Sequence, residues 1–382
     1  MFLNFHLPQY FTKNVRQEIG ELYASSAISN FALSVIGLFE PIFLYVVLGY
    51  SIPKILLFTA VVYAVYIVVI PFGGKFASAY GYRHCMALSV PFQIFYWLAL
   101  LASINYPNAA FLAAVIYGLQ KSFYWPGFHS VIARYAQTEQ VGREFGAAYA
   151  INSMAQIGGP LIGGIVSQYF GLPFAFLFAS IIYCASAIPL LMASEIFIPK
   201  LYSFKDTLQL YKEYPKKFLG YIGFGEELIF LTIWPIFIYL VVHDYKDTGM
   251  LAAAGSLVAG FLALFLGKIS DKYTKHVLVK IGAFFTTINW LGRIFVGNFI
   301  SAFASDSIGK ASKETWFIPL STLTYIRAEK THVIPYIVFF EQSLSIGKLS
   351  VALLGALLFS LTGSFMILFI IGAIYSLLYM LI

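Results

Sequence analysis

The chain has 382 residues and a formal net charge of +7, and 60% of its residues are hydrophobic while only 11% are charged. Its mean hydropathy is +0.81, and because a soluble domain carries about 25% charged residues, this composition excludes an ordinary soluble protein. The positive charge does not indicate a nucleic-acid partner, since the basic residues lie between apolar stretches, as membrane topology requires.

Apolar stretches of about 20 residues, long enough to cross a bilayer as a helix, recur along the whole chain. They predict an all-α integral membrane protein with twelve transmembrane helices, at 22–48, 54–73, 84–104, 107–132, 145–169, 172–194, 218–242, 249–267, 277–297, 299–325, 333–358 and 361–382. Residues 1–20 lack the apolar core of a secretory signal peptide. The lipid bilayer is therefore an expected partner.

The basic residues are divided unevenly between the two sets of loops. Most of the 24 lysines and arginines fall in the loops of one side, whereas the opposite loops hold only Lys54 and Lys246. The positive-inside rule assigns the basic side to the cytoplasm. We therefore expect a multi-pass protein with both termini cytoplasmic, in a prokaryotic cytoplasmic membrane.

Sequence patterns of enzymes are missing. The chain has no nucleotide-binding loop of the form G-x-x-x-x-G-K-[ST], and no hydrolase triad or zinc-protease helix can be recognised in it. The two cysteines, Cys85 and Cys184, are too few to suggest a disulfide framework or a metal site. We expect neither an enzyme nor a bound cofactor or metal.

The sequence contains an internal repeat of about half its length. The segment EPIFLYVVL at Glu40–Leu48 returns as WPIFIYLVV at Trp234–Val242, 194 residues later, and Lys121 corresponds to Glu314 at an offset of 193. A half-length repeat in a membrane protein is typical of a transporter with two equivalent halves. It predicts an N-terminal six-helix half at 1–195, a cytoplasmic loop at 196–217 and a C-terminal six-helix half at 218–382.

Two glycine-containing patterns give the chain a family resemblance. The loop between helices 2 and 3 carries Gly74, Ser78, Gly81 and Arg83, and its counterpart carries Gly267, Asp271, Lys272 and Thr274. Helix 5 carries Gly146, Ala155, Gly159, Pro160, Gly163 and Gly164. Together with the repeat and the spans, these patterns resemble the major facilitator superfamily of transporters, although Ser78 stands where the family has aspartate. No sub-family can be assigned from them.

The resemblance implies two pseudo-symmetric six-helix bundles that rock around a central site. In this family helices 2, 5, 8 and 11 form the contact between the halves, and helices 1, 4, 7 and 10 line the cavity. The gating residues it implies are Gly74, Arg83, Arg143, Gly159, Pro160, Gly163, Gly164, Gly267, Asp271 and Lys272. The segment Gly159 to Gly164 is expected at the moving interface, and Asp271 is expected beside a helix N-terminus with Arg143 as a second partner.

Ionisable residues inside the predicted spans fall mainly on helices 1, 4, 7 and 10. An ionisable group in the middle of a bilayer is unfavourable by several kcal/mol, so each one needs a partner or a function. The expected substrate- and proton-binding residues are Glu40, Lys121, Glu226, Glu227, Asp306, Lys310 and Glu314, together with the aromatic residues Tyr117, Trp125 and Trp234.

Depth along the helices suggests how these residues are grouped. Counted at about 1.5 Å per residue, Lys121, Glu227 and Glu314 lie at similar depth, which predicts a lysine of the first half facing carboxylates of the second. Glu40, Glu227 and Glu314 are the expected proton carriers. The alternative is structural pairing, for example a salt bridge between Lys121 and Glu40 that only holds the first half together.

Three further charged residues lie on helices 9 and 11. Glu341 and Lys348 are seven residues apart and share a face of helix 11, so we expect them in a gate or in a bridge between the halves. Arg293 lies near the outer end of helix 9, where a long basic side chain is expected to extend to the membrane surface.

These observations favour a monomeric secondary transporter with alternating access to a small-molecule substrate and H⁺. The leading hypothesis is proton-coupled export, by antiport, of a small amphipathic or charged molecule, which the helix 5 pattern supports. One alternative is proton-coupled uptake of a polar nutrient such as a sugar or an organic anion, which the mixed charges support. A second alternative, from another class, is a membrane sensor or scaffold that does not transport.

Overall fold

The computed structural model describes the backbone of residues 13–135, 141–192, 202–270 and 274–382. Within these ranges the side chains of residues 13–20, 22, 134–135, 141–153 and 262–270 are not described. The predicted gating residues Arg143, Gly267, Asp271 and Lys272 therefore lie outside the part of the protein that can be tested.

The described backbone contains twelve long helical segments and no strand. We label them α1 (Lys13–Gly37, Glu40–Ile42 and Phe43–Val47), α2 (Ile52–Tyr80), α3 (Tyr82–Ala102), α4 (Ala109–Tyr135), α5 (Val141–Phe170), α6 (Leu172–Ala185 and Ala187–Met192), α7 (Pro215–Ile222, Gly225–Leu228, Ile229–Ile233 and Trp234–Val242), α8 (Tyr245–Ser270), α9 (Lys275–Gly292 and Arg293–Phe295), α10 (Phe299–Lys330), α11 (Val333–Thr362) and α12 (Phe365–Leu377 and Leu378–Leu381).

Most of these segments are apolar enough to cross a membrane. Within the described residues, seven are both long and apolar enough, namely α1, α2, α3, α6, α7, α9 and α11, and α12 is a shorter apolar helix. The cavity described below is lined in part by α4 and α10, so polar residues lower their hydropathy. The prediction of an all-α integral membrane protein is confirmed.

Helix packing follows the same plan in the two halves. In the first half α1 packs on α5 and α3 packs on α4, and in the second half α7 packs on α11 and α9 packs on α10. Between the halves, α2 lies along α11 and α5 lies along α8. This arrangement is two pseudo-symmetric six-helix bundles, as predicted.

The first helix of each half contains an irregular turn, within the repeated motif in α1 and just before it in α7. A wider π-helical turn occupies Phe43–Val47 in α1 and Ile229–Ile233 in α7. Pro41 lies just before the first of these turns and Pro235 just after the second. Proline lacks the backbone N–H that a regular helix requires, and single π-helical turns are frequent at functional sites. The first helix of each half is thus irregular beside its proline, although the two turns are eight residues out of register in the repeat.

The loop predicted between the halves contains a short helix, Phe204–Glu213, which we call the linker helix. It begins with a capping box, in which the side chains of Ser203 and Asp206 bind backbone N–H groups. Its aromatic residues contact both halves: the ring centroids of Phe204 and Phe72 of α2 are 5.2 Å apart, and those of Tyr211 and Phe339 of α11 are 4.9 Å apart. The linker helix therefore covers the junction of α2 and α11.

The start of α1 and the end of α12 lie at one face of the bundle, since an even number of helices separates them. We call it the terminal face. His276 at the start of α9 lies there too, because its Nδ1 is 3.0 Å from the backbone oxygen of Ile382. The linker helix lies at this face as well.

Candidate functional site

A cavity of about 230 Å³ lies between the two halves. It is lined by residues of α2 and α4 from the first half and of α7, α10 and α11 from the second: Tyr63, Tyr66, Lys121, Trp125, His129, Phe224, Glu227, Leu231, Phe317, Ser321, Thr324, Tyr325, Phe340, Glu341, Leu344 and Lys348. Three predicted binding residues, Lys121, Trp125 and Glu227, are among them. The cavity is therefore mostly aromatic, with a few charged groups.

Lys121 faces aromatic rings rather than a carboxylate. Its Nζ is 4.3 Å from the ring centroid of Tyr117 and 5.9 Å from that of Tyr63. Within the described part of the chain, no Asp or Glu oxygen lies within the 4.0 Å that defines an ion pair with Lys121. The salt bridge with Glu40, considered above as an alternative, is not formed.

Glu40 is bound instead to α3. The indole Nε1 of Trp97 donates a hydrogen bond of 2.6 Å to Glu40, and the hydroxyl of Tyr96 donates one of 3.4 Å. The ring of Tyr96 stacks on that of Tyr117, with centroids 4.2 Å apart. Glu40 is not among the cavity-lining residues, and the stacked rings of Tyr96 and Tyr117 link its carboxylate to Lys121.

Glu227 is held by two lysines of its own half. Its carboxylate oxygens are 2.5 Å from Nζ of Lys313 in α10 and 2.7 Å from Nζ of Lys348 in α11. These bonds join α7, α10 and α11. They leave Lys121 without Glu227 as a direct partner, although both residues line the same cavity.

The predicted binding residues Asp306, Lys310 and Glu314 of α10 do not form one group in the structure. Asp306 pairs with Lys310 at 2.6 Å and accepts a hydrogen bond of 3.0 Å from Nε1 of Trp234, while Lys310 also donates to the backbone oxygen of Ala252. Glu314 takes no part in this, and its buried Oε2 has no hydrogen-bond partner in the described structure. These residues hold α7, α8 and α10 together.

Glu314 does not line the cavity, contrary to the predicted cluster of Lys121, Glu227 and Glu314. It lies three residues before Phe317, the first residue of α10 in the lining. Three residues of helix span about 4.5 Å. Glu314 therefore lies about one turn beyond the lining of the cavity on α10.

Glu226 and Arg293 form a second buried group, within the second half. Glu226 accepts hydrogen bonds from Nε1 of Trp290 at 2.8 Å and from the hydroxyl of Tyr379 at 3.2 Å. The guanidinium of Arg293 lies 3.9 Å from the ring centroid of Trp290 and 4.0 Å from that of Trp234. Arg293 is only 1% exposed, so the expectation that it extends to the membrane surface is wrong; stacking between two indoles replaces the contact with water.

A polar network that sequence reasoning did not assemble crosses from one half to the other. Glu341 of α11 lies 2.8 Å from Nε2 of His129 in α4 and accepts a hydrogen bond of 2.8 Å from the hydroxyl of Tyr66 in α2. The Nδ1 of His129 is in turn 2.7 Å from the hydroxyl of Tyr325 in α10. Successive members come from alternate halves. We call these four residues the inter-half network.

The network lies between Lys121 and the terminal face. His129 follows Lys121 by eight residues, or about 12 Å along α4. Next to it, Nε2 of Gln342 donates a hydrogen bond of 2.9 Å to the backbone oxygen of Ile67, which also joins α11 to α2. Sequence analysis expected Glu341 in a gate or in a bridge between the halves, but it did not identify the partners of this carboxylate.

The glycines of α5 contact two different neighbours. A Cβ at Gly164 would lie 2.7 Å from the backbone oxygen of Tyr245 in α8, and a Cβ at Gly249 of α8 would lie still closer to the backbone oxygen of Pro160. Gly159 and Gly163 instead face Ser34 and Val35 of α1. The expectation that the whole segment lies at the inter-half contact is therefore corrected, because residues one apart on a helix point about 100° apart.

The remaining predicted gating residues in the described range lie at or near the terminal face. Gly74 of α2 faces Ile334 and Val338 of α11, so it permits close approach of the two halves. Arg83 pairs with Glu21 at 3.2 Å, which ties the start of α3 to α1 inside the first half.

Comparison with known proteins agrees with this architecture. Residues 22–305 match the family model described as Major Facilitator Superfamily. A multi-drug resistance efflux pump PmrA homolog of Lactococcus lactis is 26% identical over 190 residues, a match that spans 46% of this chain and 46% of the relative, so less than half of that relative's length is compared.

Two solved structures have the same fold over nearly their whole length. The nucleoside transporter NupG superposes with a TM-score of 0.73 at 12% identity, covering 95% of this chain and 98% of that one. A D-xylose–proton symporter superposes with a TM-score of 0.73 at 11% identity, covering 97% of each. The paired six-helix bundles, the cavity between them and the family match lead to one conclusion: the chain belongs to the major facilitator superfamily and is a multi-pass membrane transporter rather than an enzyme.

Proposed function

We propose that this protein exports a small amphipathic or charged molecule in exchange for protons, by alternating access. The observation that carries the proposal is the inter-half network, in which ionisable groups of both halves meet at one end of a central cavity. The similarity of half the chain to a multi-drug efflux pump supports the direction. Binding in the cavity would precede rocking of the two bundles.

The proposed coupling group is the pair formed by Glu341 and His129. A hydrogen bond to a carboxylate is stronger than one to a neutral carboxyl group. A proton bound by Glu341 would therefore weaken its contacts with His129 and Tyr66, both of which belong to the other half. Loss of those contacts frees the halves to separate at the terminal face. Proton uptake and opening toward that face would then be one event.

The remaining features of the proposal follow from charge distribution. The basic loops support a cytoplasmic terminal face by the positive-inside rule, and a bacterial relative supports a prokaryotic cytoplasmic membrane. The protein would act as a monomer, since each copy contains both halves of the site, and no nucleic acid would take part.

Flux into proteoliposomes under imposed pH gradients tests this function. An antiporter accumulates substrate when the vesicle interior is acidic, whereas a symporter does so when the interior is alkaline, whichever way the protein is inserted. A cationic, an anionic and a neutral single-ring aromatic compound, small enough for a cavity of about 230 Å³, serve as probes, and protein-free vesicles correct for passive distribution. Accumulation confined to acid-inside vesicles supports export. Accumulation confined to alkaline-inside vesicles replaces it with uptake, and no gradient-driven flux of any probe favours the sensor reading.

Glu341→Gln tests the coupling group in the same vesicles. We expect it to abolish accumulation against a gradient, while downhill exchange remains. Glu226→Gln is the matched control, because Glu226 is also a buried carboxylate with aromatic donors, but all its partners lie within one half. Gradient-driven accumulation that survives Glu341→Gln would exclude Glu341 as the coupling group.

A further inference from the structure

The charges around the central cavity do not balance. The lining and the ion pairs that it makes contain three ammonium groups, those of Lys121, Lys313 and Lys348, and two carboxylates, those of Glu227 and Glu341. Glu40 and Glu314 lie outside this set. With histidine counted as neutral, the surplus is one positive charge. A charge inside a membrane protein requires a partner, so the question is which group supplies it.

The surplus is located at Lys121. Lys313 and Lys348 share the carboxylate of Glu227 at 2.5 and 2.7 Å, and Lys310, farther along α10, has Asp306 at 2.6 Å. Within the described residues, Lys121 alone among these four lysines has no carboxylate in contact. Its neighbours are the faces of aromatic rings.

The rings around Lys121 define where a partner would fit. Lys121 and Lys348, from opposite halves, lie 5.9 and 5.5 Å from the ring centroid of the same residue, Tyr63. An anionic group beside this ring would be attracted by both ammonium groups. Trp125, one turn further along α4, offers an aromatic surface to the rest of the same molecule, as does Phe317 of α10.

We propose that the substrate is an anionic amphipath, a small molecule with a carboxylate or similar group bound at Lys121 and an aromatic or apolar body packed among the cavity rings. This rests on the proposed function, since it assumes that the cavity is the transport site. The volume of about 230 Å³ limits the size of the substrate, because pockets for drug-sized ligands measure about 300–1,000 Å³. Contact of the anion with Lys121 and Lys348 together would also join the two halves.

Binding of three matched probes to the purified protein in detergent tests the charge preference. 3-Phenylpropionate, 3-phenylpropanamide and 3-phenylpropylamine share one skeleton and carry a negative, a neutral and a positive end. We expect the acid to bind about 10- to 100-fold more tightly than the amide, which is the range for a hydrogen bond to a charged group, and the amine to bind most weakly. Calorimetry measures the three affinities. Equal affinity for acid and amide, or tighter binding of the amine, would overturn the inference.

Variants at Lys121 assign the preference to this residue. Lys121→Met keeps the side-chain length without the charge and is expected to bring the acid-to-amide ratio close to 1. Lys121→Arg keeps the charge and is expected to retain the ratio, which guards against a merely misfolded variant. Lys54→Ala is the control, because Lys54 also lies over a tyrosine ring, at 3.6 Å from the centroid of Tyr50, but outside the cavity. An unchanged ratio in folded Lys121→Met would overturn the assignment.

The two proposals can fail separately, because the binding assay contains no pH gradient. Preference for the acid without gradient-driven flux would overturn the proposed export and leave the substrate class standing. Gradient-driven flux with a preference for the amine would do the reverse.

Discussion

Glu341→Gln is expected to shift the protein toward a state that is open at the terminal face. Glu341 makes two contacts of 2.8 Å with the other half, to His129 and Tyr66. The glutamine has nearly the same volume, but it lacks the charge, and only one of its terminal atoms accepts hydrogen bonds. A hydrogen bond to a charged group contributes about 1.5–3 kcal/mol, so losing one shifts the equilibrium about 10- to 150-fold.

Cysteine accessibility measures this shift directly. Cys85 and Cys184 are the two native cysteines, and changing both to serine gives a background in which Ser321→Cys, in the cavity lining, is the only thiol. The rate at which a membrane-impermeant maleimide labels it reports the population of the open state. We expect the rate to rise with Glu341→Gln by the same factor as the equilibrium.

The matched variant separates gating from general loosening. Glu226 has two aromatic donors, Trp290 and Tyr379, but both belong to its own half. Glu226→Gln should therefore lower thermal stability without raising the labelling rate. Equal rates in the two variants, or no increase with Glu341→Gln in folded protein, would refute the idea that the inter-half network holds the terminal face closed.

Three other substitutions test the packing and the buried charges. Gly164→Leu puts a side chain where even a Cβ would lie 2.7 Å from a backbone oxygen of α8. It should lower the flux and the melting temperature, with a loss of stability of about 1–3 kcal/mol. Gly158→Leu is the control and should resemble the wild type, because a Cβ there would meet its nearest neighbour at 3.7 Å. Glu227→Gln leaves two lysines short of a partner and should reduce the free energy of unfolding by about 3–5 kcal/mol, with partial recovery on adding Lys348→Met; no recovery in the double variant would contradict the pairing. Trp97→Phe removes the indole donor of Glu40 and should reduce the free energy of unfolding by about 1–3 kcal/mol. Thermal unfolding in micelles measures this, and an unchanged melting temperature would count against that hydrogen bond.

The positions of the spans could be predicted because a bilayer imposes both length and composition. Span 84–104 was found at Tyr82–Ala102, whereas span 299–325 continues as a helix to Lys330. The helix continues beyond the apolar residues there, because polar residues can extend a helix into water without a change in backbone geometry. The linker helix was missed for the same reason: it is polar, and Ser203 with Asp206 three residues later was its only local signal.

Residue counts predicted the level of the charged residues along their helices, but not the direction in which their side chains point. Counting residues placed Lys121 and Glu227 at one level, and both line the cavity. Counting could not show that Glu227 was already occupied by two lysines, or that Arg293 was enclosed by indoles. Those outcomes depend on how each helix is rotated about its axis and bent at its irregular turns. The rotation decides which of two adjacent side chains, such as those of Glu226 and Glu227, faces the cavity, and residue counts do not reveal it.

Matching positions of the internal repeat make similar kinds of hydrogen bond with different residues. Trp97 and Trp290 are equivalent at an offset of 193, and each donates its indole N–H to a carboxylate on the first helix of its half, Glu40 and Glu226 respectively. These two acceptors are not equivalent positions. Where the first copy has Glu40 as an acceptor, the second has Trp234 as a donor, bound to Asp306.

Buried donors and acceptors must be paired, so a change of sign at one position demands a compensating change on a neighbouring helix. A substitution that changes a buried charge is therefore tolerated when a neighbouring helix changes with it. In this way the two halves could diverge in charge while keeping the same helix packing. Lys121 departs from this rule within the described residues, since its equivalent Glu314 has changed sign and neither has gained a carboxylate or ammonium partner. A half-buried lysine that faces the cavity without a carboxylate in contact is where a ligand would supply the missing partner.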